Sequence, residues 1–163
     1  MVCRAEPQKP DRSPRQIKGS CHCRNISFTL ICQAADREMP ARACTCSFCT
    51  KHGAVWATLS SAALKVRVKE PAHHAKYAFA TKTAQFHICS RCGVVPLVTS
   101  DIEGRVYAAV NTNTFDDVDS VQLQHASVSF EGESEAARLA RRTRNWIAHV
   151  EFSEDSDQSA SGQ

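Results

Sequence analysis

The sequence has no long apolar run and no strong excess of charge of one sign. No stretch reaches the roughly 20 apolar residues that a membrane-spanning helix needs. Residues 1–17 are polar, rich in proline and charge, and contain no apolar core of the kind that a secretory signal requires. We therefore expect a cytoplasmic protein with no membrane association, in which thiols stay reduced.

The net charge is only +3 at neutral pH, and basic residues are spread along the chain apart from one arginine cluster. Nucleic-acid-binding domains usually have a stronger and more clustered positive charge, so we predict no nucleic-acid partner. The cluster consists of Arg138, Arg141, Arg142 and Arg144. It is interpreted as the solvated face of a helix, with a docking surface as the less favoured alternative.

Internal repeats are also absent, and a length of 163 residues suits one domain with its own core. We predict a flexible leader over residues 1–16, a domain over residues 17–152 and a disordered polar tail over residues 153–163. Short segments that alternate between apolar and polar residues predict strands. These segments are residues 26–30, 55–59, 64–68, 76–80, 84–89, 94–99 and 105–110. Residues 134–144 alone have a helical composition, so the predicted fold is mainly β with a short C-terminal helix.

Cysteine, in contrast, is abundant: it occurs nine times. An odd count of cysteines in a reducing compartment argues against a fully paired disulfide framework and favours metal ligation. Seven of the nine lie in three short clusters, which are Cys21 and Cys23, then Cys44, Cys46 and Cys49, then Cys89 and Cys92. Of the other two, Cys3 is interpreted as incidental. Cys32 continues the apolar face of Ile26 and Phe28 and is therefore predicted to be a core residue.

The spacing of the seven clustered cysteines predicts two metal sites of unequal kind. Cys89 and Cys92, followed by Gly93, have the spacing of a zinc knuckle, which supplies two ligands. A closed structural zinc site needs four ligands, and Cys21 and Cys23 are the natural second pair.

The remaining cysteines, Cys44, Cys46 and Cys49, provide three ligands and leave an exchangeable position, as catalytic zinc sites do. A histidine could instead close this site, either His22, His52 or His87. His52 is the strongest of these candidates, because it follows Cys49 by only three residues. Three thiolates give such a site a negative charge, which favours thiol binding over activation of water.

These clusters resemble the glutathione-dependent formaldehyde-activating enzyme family, which also contains centromere protein V. Members open with Gly-x-Cys-x-Cys, continue with Cys-x-Cys-x-x-Cys and close with Cys-x-x-Cys-Gly. Here the three motifs begin at Gly19, Cys44 and Cys89, and the resemblance extends to about Phe152. The resemblance implies a β-tent fold, a set of coiled β-sheets stabilised by zinc.

The same resemblance implies two Zn²⁺ ions per chain. Cys21, Cys23, Cys89 and Cys92 would hold the structural ion, and Cys44, Cys46 and Cys49 the catalytic one. The family activity is a carbon–sulfur lyase reaction that reversibly forms S-hydroxymethylglutathione from glutathione and formaldehyde. The implied partners are therefore a small-molecule thiol and an aldehyde.

Two other functional classes remain open from the sequence: a non-catalytic zinc-binding interaction module, and a zinc hydrolase of a small imine or amide. Lys51, His52 and His87 are candidate proton carriers or carboxylate-binding groups, and a surface position without a role is the alternative for each. Trp56 is assigned to the β core rather than to a substrate pocket.

Overall fold

The computed structural model describes residues 13–36, 38–117 and 122–155. Its strands are β1 (Arg15–Ser20), β2 (Ile26–Cys32), β3 (Glu38–Cys44), β4 (Val55–Ala57), β5 (Ala63–Val68), β6 (His74–Tyr77), β7 (Gln85–Cys89), β8 (Leu97–Ile102), β9 (Arg105–Asn111), β10 (Gln122–Val128) and β11 (His149–Glu154). The α-helices are α1 (Ser47–His52) and α2 (Glu135–Asn145), and short 3₁₀ turns span Pro71–His73 and Thr112–Thr114. The predicted mainly β class with a short C-terminal helix is confirmed.

The strands form two sheets. The smaller sheet has the order β1-β2-β5-β11, and the larger has the order β10-β3-β4-β9-β8-β7-β6. Most neighbours are antiparallel, but β10 pairs parallel with β3 and β11 pairs parallel with β5. The last third of the chain therefore adds one edge strand to each sheet, with α2 between those two strands in sequence.

The main core lies on the inner face of the smaller sheet. Every second residue of β2 is buried, as the alternation predicts, and Cys32 is 1% exposed in this core. Leu30 of β2 lies opposite Leu64 of β5, and both side chains are fully buried. Burial of a leucine side chain of this kind contributes roughly 1.5–3 kcal/mol, so this face fixes the register of the sheet.

Several elements differ from the sequence predictions for identifiable reasons. The segment predicted as residues 76–80 occurs as β6, two to three residues earlier in the chain, and the segment predicted as residues 94–99 occurs as β8, three residues later. β3 was not predicted, because it contains Pro40 and proline argues against a central strand. The strand can still pair with β4, because the ladder between the two strands covers only residues 41–43. β10 is an edge strand with mostly exposed side chains, so it lacks a buried apolar period. The short helix α1 was not predicted either.

The first described strand, β1, begins at Arg15, and the last, β11, ends at Glu154. The domain limits at residues 17 and 152 stay predictions. Most of the predicted leader and tail lies outside the described residues. None of the helices among the described residues has the length and apolar character needed to cross a membrane.

Candidate metal centres and the cavity beside them

The first group of cysteines, here called the four-cysteine cluster, joins two distant parts of the chain. It consists of Cys21, Cys23, Cys89 and Cys92, whose sulfur atoms all lie within 4.8 Å of one another. The Cys23 sulfur lies 3.7 Å from that of Cys21 and 3.4 Å from that of Cys89. Ligands of a tetrahedral ion with metal–sulfur bonds of about 2.3 Å lie about 3.8 Å apart. These separations therefore fit a metal ion and are too long for disulfides, whose sulfurs are about 2.05 Å apart.

Two glycines explain how the backbone reaches this geometry. Gly93 has a φ of 76°, a left-handed conformation that glycine adopts without strain, and its N–H donates to the Cys89 carbonyl at 2.8 Å. A Cβ atom at Gly19 would overlap the Phe28 ring and lie 2.7 Å from the Thr114 carbonyl oxygen. The first motif thus needs glycine at Gly19 for close packing, and the last motif needs glycine at Gly93 for the turn conformation.

The four-cysteine cluster belongs to the main core. Cys21 and Cys89 are 0% exposed, and Cys23 and Cys92 are half-buried against the same core. In the metal-free chain, burial raises the pKa of the Cys21 thiol to about 12. A bound cation would have to displace that proton, which couples metal binding at this cluster to folding.

The second group, the three-cysteine cluster, is local in sequence. Cys44 ends β3, Cys46 is the N-cap of α1, and Cys49 lies inside α1. Their sulfur atoms all lie within 4.8 Å of one another. The Cys49 N–H donates to the Cys46 sulfur at 3.5 Å, and the buried Trp56 indole N–H donates to the Cys49 sulfur at 3.2 Å. The strand-to-helix turn therefore directs all three side chains to one point.

Charge at the three-cysteine cluster is shared unequally among the thiols. The Cys49 thiol donates a hydrogen bond to Cys44 and lowers the pKa of Cys44 to about 5, while the same interaction raises the pKa of Cys49. Without a cation, Cys44 therefore ionises more readily than Cys49. Three adjacent thiolates would repel one another, and a bound metal cation would compensate their negative charge.

None of the three candidate histidines joins these sulfurs. Among the described residues, no His, Cys, Asp or Glu side chain extends the group beyond its three members. The His52 ring is exposed and packs on Phe48 at a centroid distance of 4.5 Å. His22 is exposed, in the turn that contains Cys21 and Cys23.

His87 lies on the opposite face of β7 from Phe86, which lines the cavity described below. Its ring nitrogens contact His74 Nε2 at 2.7 Å and Thr99 Oγ1 at 2.8 Å. Burial lowers the pKa of His87 to about 3, so the ring is neutral in the folded chain. Its polar groups are satisfied within the sheet, away from the three-cysteine cluster.

A cavity of about 440 Å³ opens beside the three-cysteine cluster, and Cys44, Cys46 and Cys49 form part of its wall. Aromatic residues form another part, namely Trp56, Phe79, Phe86, Phe130 and Trp146. The prediction that Trp56 is buried agrees with its 8% exposure, but this residue also faces the cavity. Lys51 and His52 are exposed and do not line it.

The arginines of α2 are the part of the cavity that the sequence interpretation missed. Arg138, Arg141 and Arg142 line the cavity, whereas Arg144 is exposed and does not. The interpretation of this cluster as a solvated face therefore holds only for Arg144. The spacing of residues 138, 141 and 142 places the three arginines on one side of a helix. This spacing was the sequence signal that could have indicated a shared role for them.

The chain is similar to a known protein family and to a solved structure. Residues 16–130, which include all seven clustered cysteines, match the family described as glutathione-dependent formaldehyde-activating enzyme. A crystal structure of a Rhodobacter sphaeroides protein is similar at 30% sequence identity, covering 66% of this chain and 99% of that chain, with a TM-score of 0.45. No curated protein matches the sequence. The chain belongs to the glutathione-dependent formaldehyde-activating enzyme family.

Proposed function

We propose that the protein is a zinc-dependent carbon–sulfur lyase that adds a small thiol to an aldehyde or reverses that addition. The observation that supports this most is the three-cysteine cluster in the cavity wall, which no fourth protein ligand completes among the described residues. A site of three protein ligands beside a cavity leaves room for a substrate.

The two clusters would have different roles. Cys21, Cys23, Cys89 and Cys92 would hold a structural Zn²⁺ ion, and Cys44, Cys46 and Cys49 a catalytic one. Zinc is the favoured metal because thiolate ligands in tetrahedral spacing suit it and disfavour harder cations such as Mg²⁺. Family membership supports the same assignment.

When bound at the three-cysteine cluster, zinc would lower the pKa of a substrate thiol, so that the thiol reacts as a thiolate. The net reaction forms one bond between the thiol sulfur and the aldehyde carbon, and the carbonyl oxygen takes up the thiol proton. No oxidant or reductant is consumed.

The chain's own residues would orient the reactants and exclude water. Trp56 fixes Cys49 through its 3.2 Å hydrogen bond, and the aromatic wall gives the cavity a largely apolar surface. Glu131 contributes the one carboxylate among the described cavity-lining residues, and Thr45 and Ser47, beside Cys44 and Cys46 in the sequence, are among the residues that contribute hydroxyl groups. These three residues are candidates for handling the proton at the carbonyl oxygen.

The proposal is tested by measuring exchange, because thiols and formaldehyde also combine without a catalyst. With zinc-loaded protein, glutathione or 2-mercaptoethanol and ¹³C-labelled formaldehyde, we expect NMR exchange between free and adduct carbon to be faster than in buffer. The folded Cys46→Ser variant should not accelerate it. If neither thiol shows acceleration with metal-loaded wild-type protein, the lyase proposal is wrong. The non-catalytic zinc module would then be favoured, unless the protein hydrolyses a small imine or amide.

A further inference from the structure

One part of the cavity lining is rich in arginine. Four arginines line it, Arg42 at the end of β3 and Arg138, Arg141 and Arg142 on α2. Glu133 accepts two hydrogen bonds from Arg141, at 2.8 and 2.9 Å, and lies 3.6 Å from Arg138. The guanidinium of Arg141 holds the pKa of the Glu133 carboxyl below its usual range. Glu133 is therefore ionised and already engaged by two of the four arginines. Glu131 also lines the cavity, but it forms no ion pair with Arg42 or Arg142 among the described residues.

Arg142 is buried without a counter-ion. It is 6% exposed, and its guanidinium donates to the Thr83 carbonyl, the Thr83 hydroxyl and the Ser100 hydroxyl, which are all neutral. Its Nε atom is buried and has no hydrogen-bond partner, and no carboxylate of the described residues lies within 4 Å of the group. Burial lowers the pKa of Arg142 only to about 10, so the group stays charged at neutral pH.

Arg42, on β3, also has no counter-ion among the described residues. It is half-buried and donates to the Thr58 hydroxyl at 2.8 Å, again a neutral acceptor. No described carboxylate lies within ion-pair distance of its guanidinium. A buried or half-buried charge with only neutral partners is unfavourable, and an anion entering the cavity would compensate both arginines.

We propose that Arg42 and Arg142 form an anion subsite that binds a carboxylate of the substrate beside the three-cysteine cluster. The guanidinium group suits this role because its donors match the two oxygens of a carboxylate. α2 begins after residue 130, where the family match ends, so the subsite comes partly from a segment outside that match. The inference rests on the proposed function for the reaction and adds the substrate class: a small carboxylate-bearing molecule.

The binding test uses full-length, zinc-loaded protein and two thiol-free probes, succinate and its uncharged diamide, succinamide. Calorimetry should show that succinate binds about tenfold or more tightly than succinamide. Arg42→Gln and Arg142→Gln should each weaken succinate binding by about tenfold, and Arg144→Gln should not. Arg144→Gln is the matched control, because this substitution removes the same charge from the same helix at a position outside the cavity. If Arg142→Gln fails to fold, the half-buried Arg42 still tests the proposal.

The test keeps this inference separate from the lyase proposal. Succinate binding that depends on Arg42 supports the subsite even if no thiol–aldehyde chemistry is found. Equal binding of succinate and succinamide, or an equal loss in Arg144→Gln, overturns it while leaving the lyase proposal intact. The arginines would then only balance the negative charge of the thiolates.

Two matched pairs of compounds identify which reactant has the carboxylate. The first pair is 2-mercaptoacetate and 2-mercaptoethanol, and the second is glyoxylate and glycolaldehyde. A preference for the acid that Arg42→Gln abolishes, in either pair, supports the subsite and assigns the carboxylate to the thiol or to the aldehyde. No preference in either pair contradicts the proposal.

Discussion

The four-cysteine and three-cysteine clusters use the same side chain in opposite surroundings. The first joins Cys21 and Cys23 to cysteines more than sixty residues away, and its members lie in the main core. The second lies within one strand-to-helix turn and forms part of a cavity wall. A metal ion that joins distant segments restricts the unfolded chain far more than one held within six residues. This difference supports the proposal that the first cluster serves folding and the second serves chemistry.

The largest expected difference comes from removing one ligand of each cluster. Cys89→Ser should prevent stable folding, because structural zinc binding is worth about 10–16 kcal/mol, comparable with the total stability of a small domain. Cys46→Ser should lose one zinc ion per chain and lower the melting temperature only modestly. Zinc analysis together with thermal denaturation measures both effects. Equal destabilisation in the two variants would remove the distinction between the clusters.

A smaller effect is expected at Gly19, which affects only the four-cysteine side. In Gly19→Ala the new methyl group meets the Phe28 ring and the Thr114 carbonyl, so we expect a loss of about 1–3 kcal/mol. The zinc content at the three-cysteine cluster should stay unchanged. Denaturant unfolding and metal analysis check this, and wild-type stability in the variant would show that the close packing is not required.

The two cysteine clusters and the cavity wall differ in how far they could be predicted from the sequence. Both cysteine clusters were predicted correctly as groups, because Cys89 and Cys92 or Cys46 and Cys49 are close in sequence and their spacing limits where the sulfurs can go. The cavity wall was not predicted, because Arg142 of α2 reaches Thr83 and Ser100 only through tertiary packing. The same holds for β3 and β10, whose parallel pairing brings together residues that are far apart in sequence.

The smallest expected effect concerns the indole hydrogen bond to the three-cysteine cluster. Trp56→Phe removes the N–H that donates to Cys49 and should cost about 1 kcal/mol of stability and about tenfold in zinc affinity at that cluster. Competition with a zinc chelator measures the affinity. Trp146→Phe is the control, since Trp146 also lines the cavity. An equal loss of affinity in both variants would mean that cavity packing, rather than the hydrogen bond, is responsible.

The central claim is that only the three-cysteine cluster has a position available to a substrate thiol. Its most direct test is to load the protein with two cobalt ions per chain and titrate 2-mercaptoethanol while recording the thiolate-to-cobalt absorption. We predict that the thiol changes the absorption of one ion per chain, and that the change is absent in Cys46→Ser. An unchanged spectrum in the wild-type protein, or the same change in Cys46→Ser, would contradict this account.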